Sequence, residues 1–498
     1  MRFADLPIHP DSKRAFAEVL RYEFATKVQS ESLPPILDGL DVLAKAKTGT
    51  GKTLAFLVPA LEVITKIRLA DRANQISALI MSPTRELAQQ IEEEAKHLCR
   101  FHARSGAVRG TLCIVGGQKM SKDLNRLKNP PDILVATPGR LNDHLQNHGL
   151  QALTKNLRIL IFDEADQLFE MGFMPQIRQI LDKLPAPAHR QTLLFSATMP
   201  KDVEQLAKKA MRPESFKYVD TVGEEENTHQ HVPQQYTVCP FGEETVVLLQ
   251  HLQAEAASPG YKGIVFFVTA RLTQYYAELF GSMGLPILEI HSRKSQSQRE
   301  KVAAEFRRRS DCFLFTSDVS ARGMDYPDVT GVFQVGAPSD VAQYVHRLGR
   351  TARAGQGGHG VLVLGDHERY FLRERDLRDL PLEELPYTAN KEAEATVSSA
   401  LARQDPDRTL ASAYQTWLGY YNGSLRKLRW SKEELVIHAN EWAARHGCHE
   451  PPALLARTVG KMGLKGIPGL NVERGGGGGG GGGGGRGGGR GGDGRRGG

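Results

Sequence analysis

From residue 41 onward, short runs that are apolar almost throughout alternate with longer segments whose apolar residues recur at helical spacing. In the first half the runs are 41–46 (DVLAKA), 77–82 (SALIMS), 111–115 (TLCIV), 132–136 (DILVA), 157–162 (LRILIF) and 191–195 (QTLLF). A strand with one face in water would alternate apolar and polar residues. Runs this uniformly apolar are expected of parallel strands covered on both faces. With helical segments such as 85–100 and 201–211 between them, the series predicts a βαβ, doubly wound sheet. Residues 218–233 (YVDTVGEEENTHQHVP) break the rhythm and read as a linker. The alternation restarts at 263–268, 286–290, 312–316, 331–335 and 360–364, giving a second parallel α/β lobe that ends near 366. The expected organisation is a first lobe over 1–217, the linker over 218–233, a second lobe over 234–366, a mainly helical extension over 367–474 and a tail over 475–498. The extension holds all three tryptophans, Trp417, Trp430 and Trp442. The tail is glycine with a few arginines, a composition expected to be disordered because it can build no packed core.

Composition narrows the class. No apolar stretch is long enough to span a bilayer. The opening MRFADLPIHPDSKRAF has neither a signal-peptide core nor a transit-peptide composition, so no address is visible in it. The five cysteines (Cys99, Cys113, Cys239, Cys312, Cys448) are scattered without a C-x-x-C pair, which argues for a reducing compartment. His446, Cys448 and His449, with the pair His229/His231, fit no common metal spacing and read as surface histidines. A net charge of +7 favours a polyanionic partner.

The specific chemistry starts at Ala46-Lys47-Thr48-Gly49-Thr50-Gly51-Lys52-Thr53, which follows an expected strand and opens an expected helix. Glycines let backbone N–H groups approach phosphates, and the helix N-terminus favours their charge. Lys52 is placed to reach the β/γ-phosphates and the Thr53 hydroxyl to ligate Mg²⁺. The general motif begins with Gly rather than Ala46, so a plain Gly-rich turn stays open on this string alone. Asp163-Glu164-Ala165-Asp166 ends the strand LRILIF, where an α/β sheet presents ligand groups. Asp163 suits Mg²⁺ and Glu164 suits orientation of an attacking water; the plainer alternative is an acidic helix cap.

In this order the two elements resemble a DEAD-box RNA helicase, and the family's other motifs follow over residues 3 to about 366. The resemblance implies two tandem RecA-like lobes, ATP and Mg²⁺ as cofactors, and single-stranded or short duplex RNA read through its backbone. Arg21 to Gln29 resembles the adenine-reading segment, with Phe3 as its upstream aromatic and Gln29 on the adenine edge; Arg21 and Ala25 stand where the family has glycine and proline. Pro83, Thr84, Arg85, the pair Gly116-Gly117, Thr137, Gly139 and Arg140 match the first lobe's RNA contacts. Gln296, Arg299 and Thr316 match those of the second, where Phe266 to Val268 resembles the fourth motif. Ser196 and Thr198 are expected to hydrogen-bond the DEAD segment at Asp166 and couple hydrolysis to RNA remodelling, a role shared with His346. Gly323 and Asp325 are expected near the ATP ribose. Arg350 and Arg353 match the arginine fingers, spaced for one side of a helical turn, with Ala352 where the commonest form has Gly; a solvated basic helix face is the alternative.

Ala413 to Asn422 and Gly460 to Leu470 resemble the extension of organellar RNA-chaperone members, most closely those of plants. A mitochondrial or chloroplast location is suggested by that resemblance alone. Tyr414, Trp417 and Tyr421 share a helical face that serves either core packing or RNA stacking. Arg426, Lys427, Arg429 and Lys432 are a candidate RNA contact or a solvated surface. The tail, with Arg486, Arg490, Arg495 and Arg496, is either an RNA tether or inert glycine. The implied function is an ATP-dependent RNA helicase and chaperone, monomeric and unattached to membrane; an ATP-dependent RNA clamp or a DNA helicase of the same superfamily are the rivals.

Overall fold

Both apolar series fold into parallel sheets in the computed structural model, which describes residues 1–46, 49–222, 231–318, 326–352, 357–378, 380–403 and 406–473. The first sheet consists of Asp41–Lys45 (β1), Ala78–Met81 (β2), Thr111–Ile114 (β3), Ile133–Ala136 (β4), Ile159–Phe162 (β5), Gln191–Ser196 (β6) and Phe216–Asp220 (β7). Its spatial order is β3-β4-β2-β5-β6-β1-β7, with every pairing parallel. Successive residues of one strand serve opposite cores. Val42, Ala44, Ile80 and Ile161 pack with the helix Lys52–Thr65 on one face. Leu43, Leu79, Leu160 and Phe162 pack on the other. Burial on both sides is why these strands lack polar alternation.

The second sheet consists of Gln234–Cys239 (β8), Lys262–Phe267 (β9), Ile287–Ile290 (β10), Cys312–Thr316 (β11), Gly331–Val335 (β12), His359–Gly365 (β13) and Leu382–Glu384 (β14). Its order is β10-β11-β9-β12-β13-β8-β14, again all parallel. Counted from each sheet's own first strand, the two orders are identical. The sequence pattern misses β7, β8 and β14. β7 begins before residue 218 and takes in the start of the segment read as linker, while β14 adds a strand beyond residue 366. Both are edge strands with exposed side chains, so no apolar run marks them.

The chain divides into two units, Met1–Asp405 and Pro406–Gly498. The first holds both sheets. Within the second, the helices Pro406–Asn422 and Lys432–Arg445 pack on each other, and Leu454–Leu455 pairs with Val472–Glu473. Tyr414, Trp417 and Tyr421 are buried there. Trp417 stacks with Trp442 at 6.2 Å between ring centres, and Tyr414 Oη donates to Asn440 Oδ1 at 2.6 Å. This stripe is core, not a platform for bases. His446 is buried as well, its Nδ1 2.7 Å from the Trp442 carbonyl; the reading of it as a surface histidine is corrected by the helix packing beneath it. Among the described residues no helix is long and apolar enough to cross a membrane. Lys47, Thr48, Gly323, Asp325, Arg353, His229 and the tail 475–498 lie outside the described residues.

Candidate nucleotide and RNA site

The C-terminal ends of β1, β5 and β6 supply the centre of the site. β1 leads into the Gly-rich loop, where Gly49 and Gly51 have φ of 82° and 90°, left-handed values that favour glycine. A Cβ on Gly51 would lie 2.5 Å from Gln29 Nε2. Ala46 is fully buried and donates its N–H to the Ser196 carbonyl at 2.9 Å, so a small residue suffices where the general motif has glycine. Lys52 then opens the helix Lys52–Thr65, with Thr53 in its first turn. Lys52 Nζ donates to Glu164 Oε1 at 2.9 Å, both groups almost wholly buried. Burial pushes the Lys52 ammonium down, but Glu164 and Asp163 outweigh it and hold the group charged.

Asp163 and Glu164 follow β5. Glu164 takes left-handed backbone angles, φ 49° and ψ 55°, at the start of the helix Ala165–Glu170. Burial and the adjacent Glu164 charge push the Asp163 carboxyl up to about 7. Asp163 Oδ1 and Glu164 Oε2 are buried without a hydrogen-bond partner among the described residues. Unsatisfied buried carboxylate oxygens, with the Thr53 hydroxyl from the first turn of the helix Lys52–Thr65, make a hard oxygen set that fits Mg²⁺. Asp166 faces the other way. Its Oδ2 accepts from the Thr198 amide at 3.0 Å and the Thr198 hydroxyl at 2.9 Å, while its own N–H donates to Ser196 Oγ at 3.1 Å. The Thr198 hydroxyl therefore bonds the DEAD segment at Asp166, and the Ser196 hydroxyl accepts from it there.

Gln29 sits in a capping box with Thr26 at the start of the helix Lys27–Leu37 and donates Nε2 to the Gly51 carbonyl at 2.9 Å. It braces the phosphate loop as well as lining it. Phe3 is a correction. It is 2 % exposed and stacks on Phe16 with 3.8 Å between ring centres, so its face is spent in the core. The exposed aromatics of the segment are Tyr22 and Phe24, 54 % and 58 % accessible; Tyr22 directly follows Arg21, a position that marks it within the segment itself.

Thr84 caps the helix Arg85–Leu98, its Oγ1 accepting from the Leu87 amide at 3.2 Å. Pro83 before it is buried. Arg85 lies over Gly116 and Gly117: a Cβ on Gly117 would meet its guanidinium at 2.4 Å. Thr137 opens the helix Pro138–Asn147, and nothing lies within 4 Å of a Cβ built on Gly139. Arg140 is turned inward, donating to Asp123 Oδ2 and the Gln118 carbonyl, each at 2.8 Å. Burial pushes the Asp123 carboxyl up, yet the bonds from His144 and Arg140 hold it below the usual range. In the second lobe Thr316 is buried and bonded to the Ser317 carbonyl at 3.0 Å.

The lobes meet through these segments. Arg299 pairs with Glu86 at 2.7 Å, and Gln296 Nε2 donates to Glu86 Oε1 at 3.1 Å and to Gln89 Oε1 at 3.2 Å. Residues expected on RNA thus carry a buried contact between lobes. A cleft of about 570 Å³ opens beside it, lined by Thr84 and Gln167 from one lobe and Thr269, Ser317 and Asp318 from the other. Asp318 holds Arg347 at 2.8 Å, a pair the sequence reading passed over. His346 lies in the helix Val341–Leu348. That helix stops before Arg350, and Arg353, the second arginine of the expected helical face, lies outside the described residues. Arg350 lies in the following turn, 1 % exposed, its Nε donating to the His346 carbonyl at 3.3 Å.

Residues 26–206 match the DEAD/DEAH box helicase family and residues 244–355 the helicase conserved C-terminal domain. DEAD-box ATP-dependent RNA helicase 26 of Oryza sativa subsp. japonica is 44 % identical over 474 residues, 94 % of this chain and 86 % of that protein. DEAD-box ATP-dependent RNA helicase 25 of Arabidopsis thaliana is 42 % identical over 483 residues, 95 % and 84 % of the two chains. Among solved structures, Mss116p bound to ssRNA and AMP-PNP matches with a TM-score of 0.81 and 28 % identity, over 94 % of this chain and 95 % of that one. A phosphate loop, a DEAD strand end and relatives this similar over nearly the whole length agree: the chain belongs to the DEAD-box ATP-dependent RNA helicases, enzymes that couple ATP binding and hydrolysis to RNA remodelling.

Proposed function

We propose that Lys52 and Glu164 are a ground-state pair that nucleotide binding separates. The buried 2.9 Å ion pair is the observation that carries this reading. A bound triphosphate offers Lys52 a stronger partner, and the released Glu164 carboxylate then orients and polarises the attacking water. Thr53 and Asp163 would hold Mg²⁺, which supplies positive charge to the phosphates. Ala46 through Thr53 cradle the phosphates, and Gln29 with the exposed Tyr22 serves the adenine. Arg350 and Arg353 of the second lobe complete the site in the closed state, with Asp325 and Gly323 at the ribose.

RNA is the partner across the cleft, a reading supported by the structure of Mss116p, which is bound to ssRNA. Thr84, Gly117, Gly139 and Thr316 offer hydroxyls and backbone amides, groups that hold phosphate and sugar without reading bases. Arg85 and Arg140 shape that surface, and Gln296 and Arg299 join it to lobe closure. Asp166, Ser196, Thr198 and His346 link the nucleotide site to it. The proposed domains follow the sequence pattern, with β7 kept in the first lobe and β14 in the second, and the chain is proposed to act in a mitochondrion or chloroplast, a reading that rests on the resemblance of its extension to organellar members.

Replacing Glu164 by Gln should lower ATP turnover by about 10²–10⁴-fold while ATP-dependent RNA binding persists. Steady-state hydrolysis without nucleic acid, with single-stranded RNA and with single-stranded DNA measures it, and a near-parental rate in the variant would remove Glu164 from the chemistry. Strand separation by the parent on a short duplex separates a remodelling enzyme from a clamp.

A further inference from the structure

The helix Pro10–Ala15 with its N-cap His9 and the helix Arg100–Arg104 bring three ligating side chains together outside the nucleotide motifs. One ligand atom from each of His9, Asp11 and His102 lies within 4.8 Å of the others. His102 is fully buried, its Nε2 2.9 Å from Ser12 Oγ. The Ser12 hydroxyl donates its single proton to Glu62 Oε1 at 3.2 Å, and Glu62 also takes the His9 N–H at 2.9 Å. Ser12 therefore has only lone pairs left for His102, which makes Nε2 the protonated nitrogen. The lone pair falls on Nδ1. That atom is buried and has no hydrogen-bond partner among the described residues.

Two further ligating side chains lie close by. The His9 ring lies 4.8 Å from that of His102, and His9 Nδ1 is 3.8 Å from Asp11 Oδ2. An unsatisfied buried nitrogen on one of three clustered ligating side chains is a place for a cation. The second nitrogen of a metal-bound histidine usually donates to an oxygen, as His102 does to Ser12.

We propose that His9, Asp11 and His102 form a binding site for a divalent transition metal of borderline softness, with zinc as its representative. Two imidazoles and one carboxylate suit such ions better than Mg²⁺. Tetrahedral zinc needs its ligand atoms about 3.3 Å apart. Rotation of His9 and Asp11, whose side chains are 34 % and 21 % exposed, provides that contraction and an entry path, and water completes the shell. The Asp11 amide now donates to His9 Nδ1 at 3.1 Å, a bond the metal replaces. The metal would fasten the segment that precedes Gln29 to the body of the first lobe.

The full chain, stripped of metal by chelation, is titrated with Zn²⁺ against a chromophoric chelator in excess Mg²⁺. Thermal midpoints are recorded with and without Zn²⁺. His9→Gln and Asp11→Asn change partly exposed groups, and unchanged zinc-free midpoints certify their fold. The expected result is a zinc equivalent in the parent that weakens at least about tenfold in each variant, with a zinc-induced rise in midpoint seen only in the parent. Zinc binding that is absent from the parent, or equal in parent and variants, overturns the proposal; the latter assigns the ion to other histidines or cysteines.

Discussion

Arg21 and Ala352 hold φ of 57° and 52°, a region where a Cβ crowds the following carbonyl at a cost of about 1–2 kcal/mol. Both stand where DEAD-box sequences commonly have glycine, and the backbone has kept the glycine conformation without the glycine. Arg21→Gly and Ala352→Gly should therefore each stabilise by about 1 kcal/mol, less the greater freedom glycine gives the unfolded chain. In a chain with several units that is a rise of roughly 2 °C in the midpoint of the first unit's transition. Differential scanning calorimetry checks it, and a fall in both variants would mean that these side chains make contacts worth more than the strain. At this scale the chemistry-bearing residues were legible because phosphate and water activation restrict which side chains serve. Phe3 was not, because stacking on adenine and stacking on Phe16 look the same in a sequence. Arg140, Gln296 and Arg299 were legible only in part for a related reason: an arginine or glutamine suited to phosphate is equally suited to Asp123 or Glu86, and only the fold shows the bonds they make to those carboxylates.

Among the elements, legibility followed burial. β2, β4 and β5 announce themselves because both faces are covered, whereas β7 and β14 are edge strands whose residues meet water. The helix Lys432–Arg445 lies in the extension expected to be mainly helical, but His446 at its end was not recognisable as core. Burial lowers that imidazole to about 4, against about 6.5 in an unfolded chain. Between those values the unfolded state binds a proton that the folded state refuses, so stability is complete above about pH 6.5 and is lost as pH falls toward 4. The loss is at most about 1.4 kcal/mol per pH unit from this group. All three tryptophans, Trp417, Trp430 and Trp442, belong to the unit that begins at Pro406, so indole fluorescence reports on that unit alone. Melting followed by tryptophan emission should weaken from pH 7 to pH 5 in the parent and less steeply in His446→Gln. Equal slopes would show that the acid sensitivity of this unit arises elsewhere.

On the scale of the whole molecule, the two sheets share one strand order yet differ at the position that binds phosphate. β8 is the counterpart of β1, and the helix after each begins at Glu244 in one lobe and Lys52 in the other. A carboxylate at that helix start repels the ligand that a lysine would draw in. Burial, only partly offset by His367, pushes Glu244 up to about 7, and protonation still leaves no cation for phosphate. The duplicated fold therefore implies one nucleotide per chain, on the first lobe, with the second lobe acting as the half that completes catalysis. Arg350 is where this division can be measured. If, as proposed, the Arg350 guanidinium meets the γ-phosphate only after the lobes close, its removal should leave nucleotide affinity without RNA nearly unchanged, because open-state binding would rest on Lys52 and the glycine loop. The same change should lower RNA-stimulated kcat by about 10³ or more, the usual worth of an arginine finger. Nucleotide titration of parent and Arg350→Ala should give one site in each with matching affinity. If instead Arg350→Ala loses nucleotide affinity in proportion to its loss of rate, Arg350 acts in the ground state, and completion of the site by the second lobe on closure fails as an account of how this chain works.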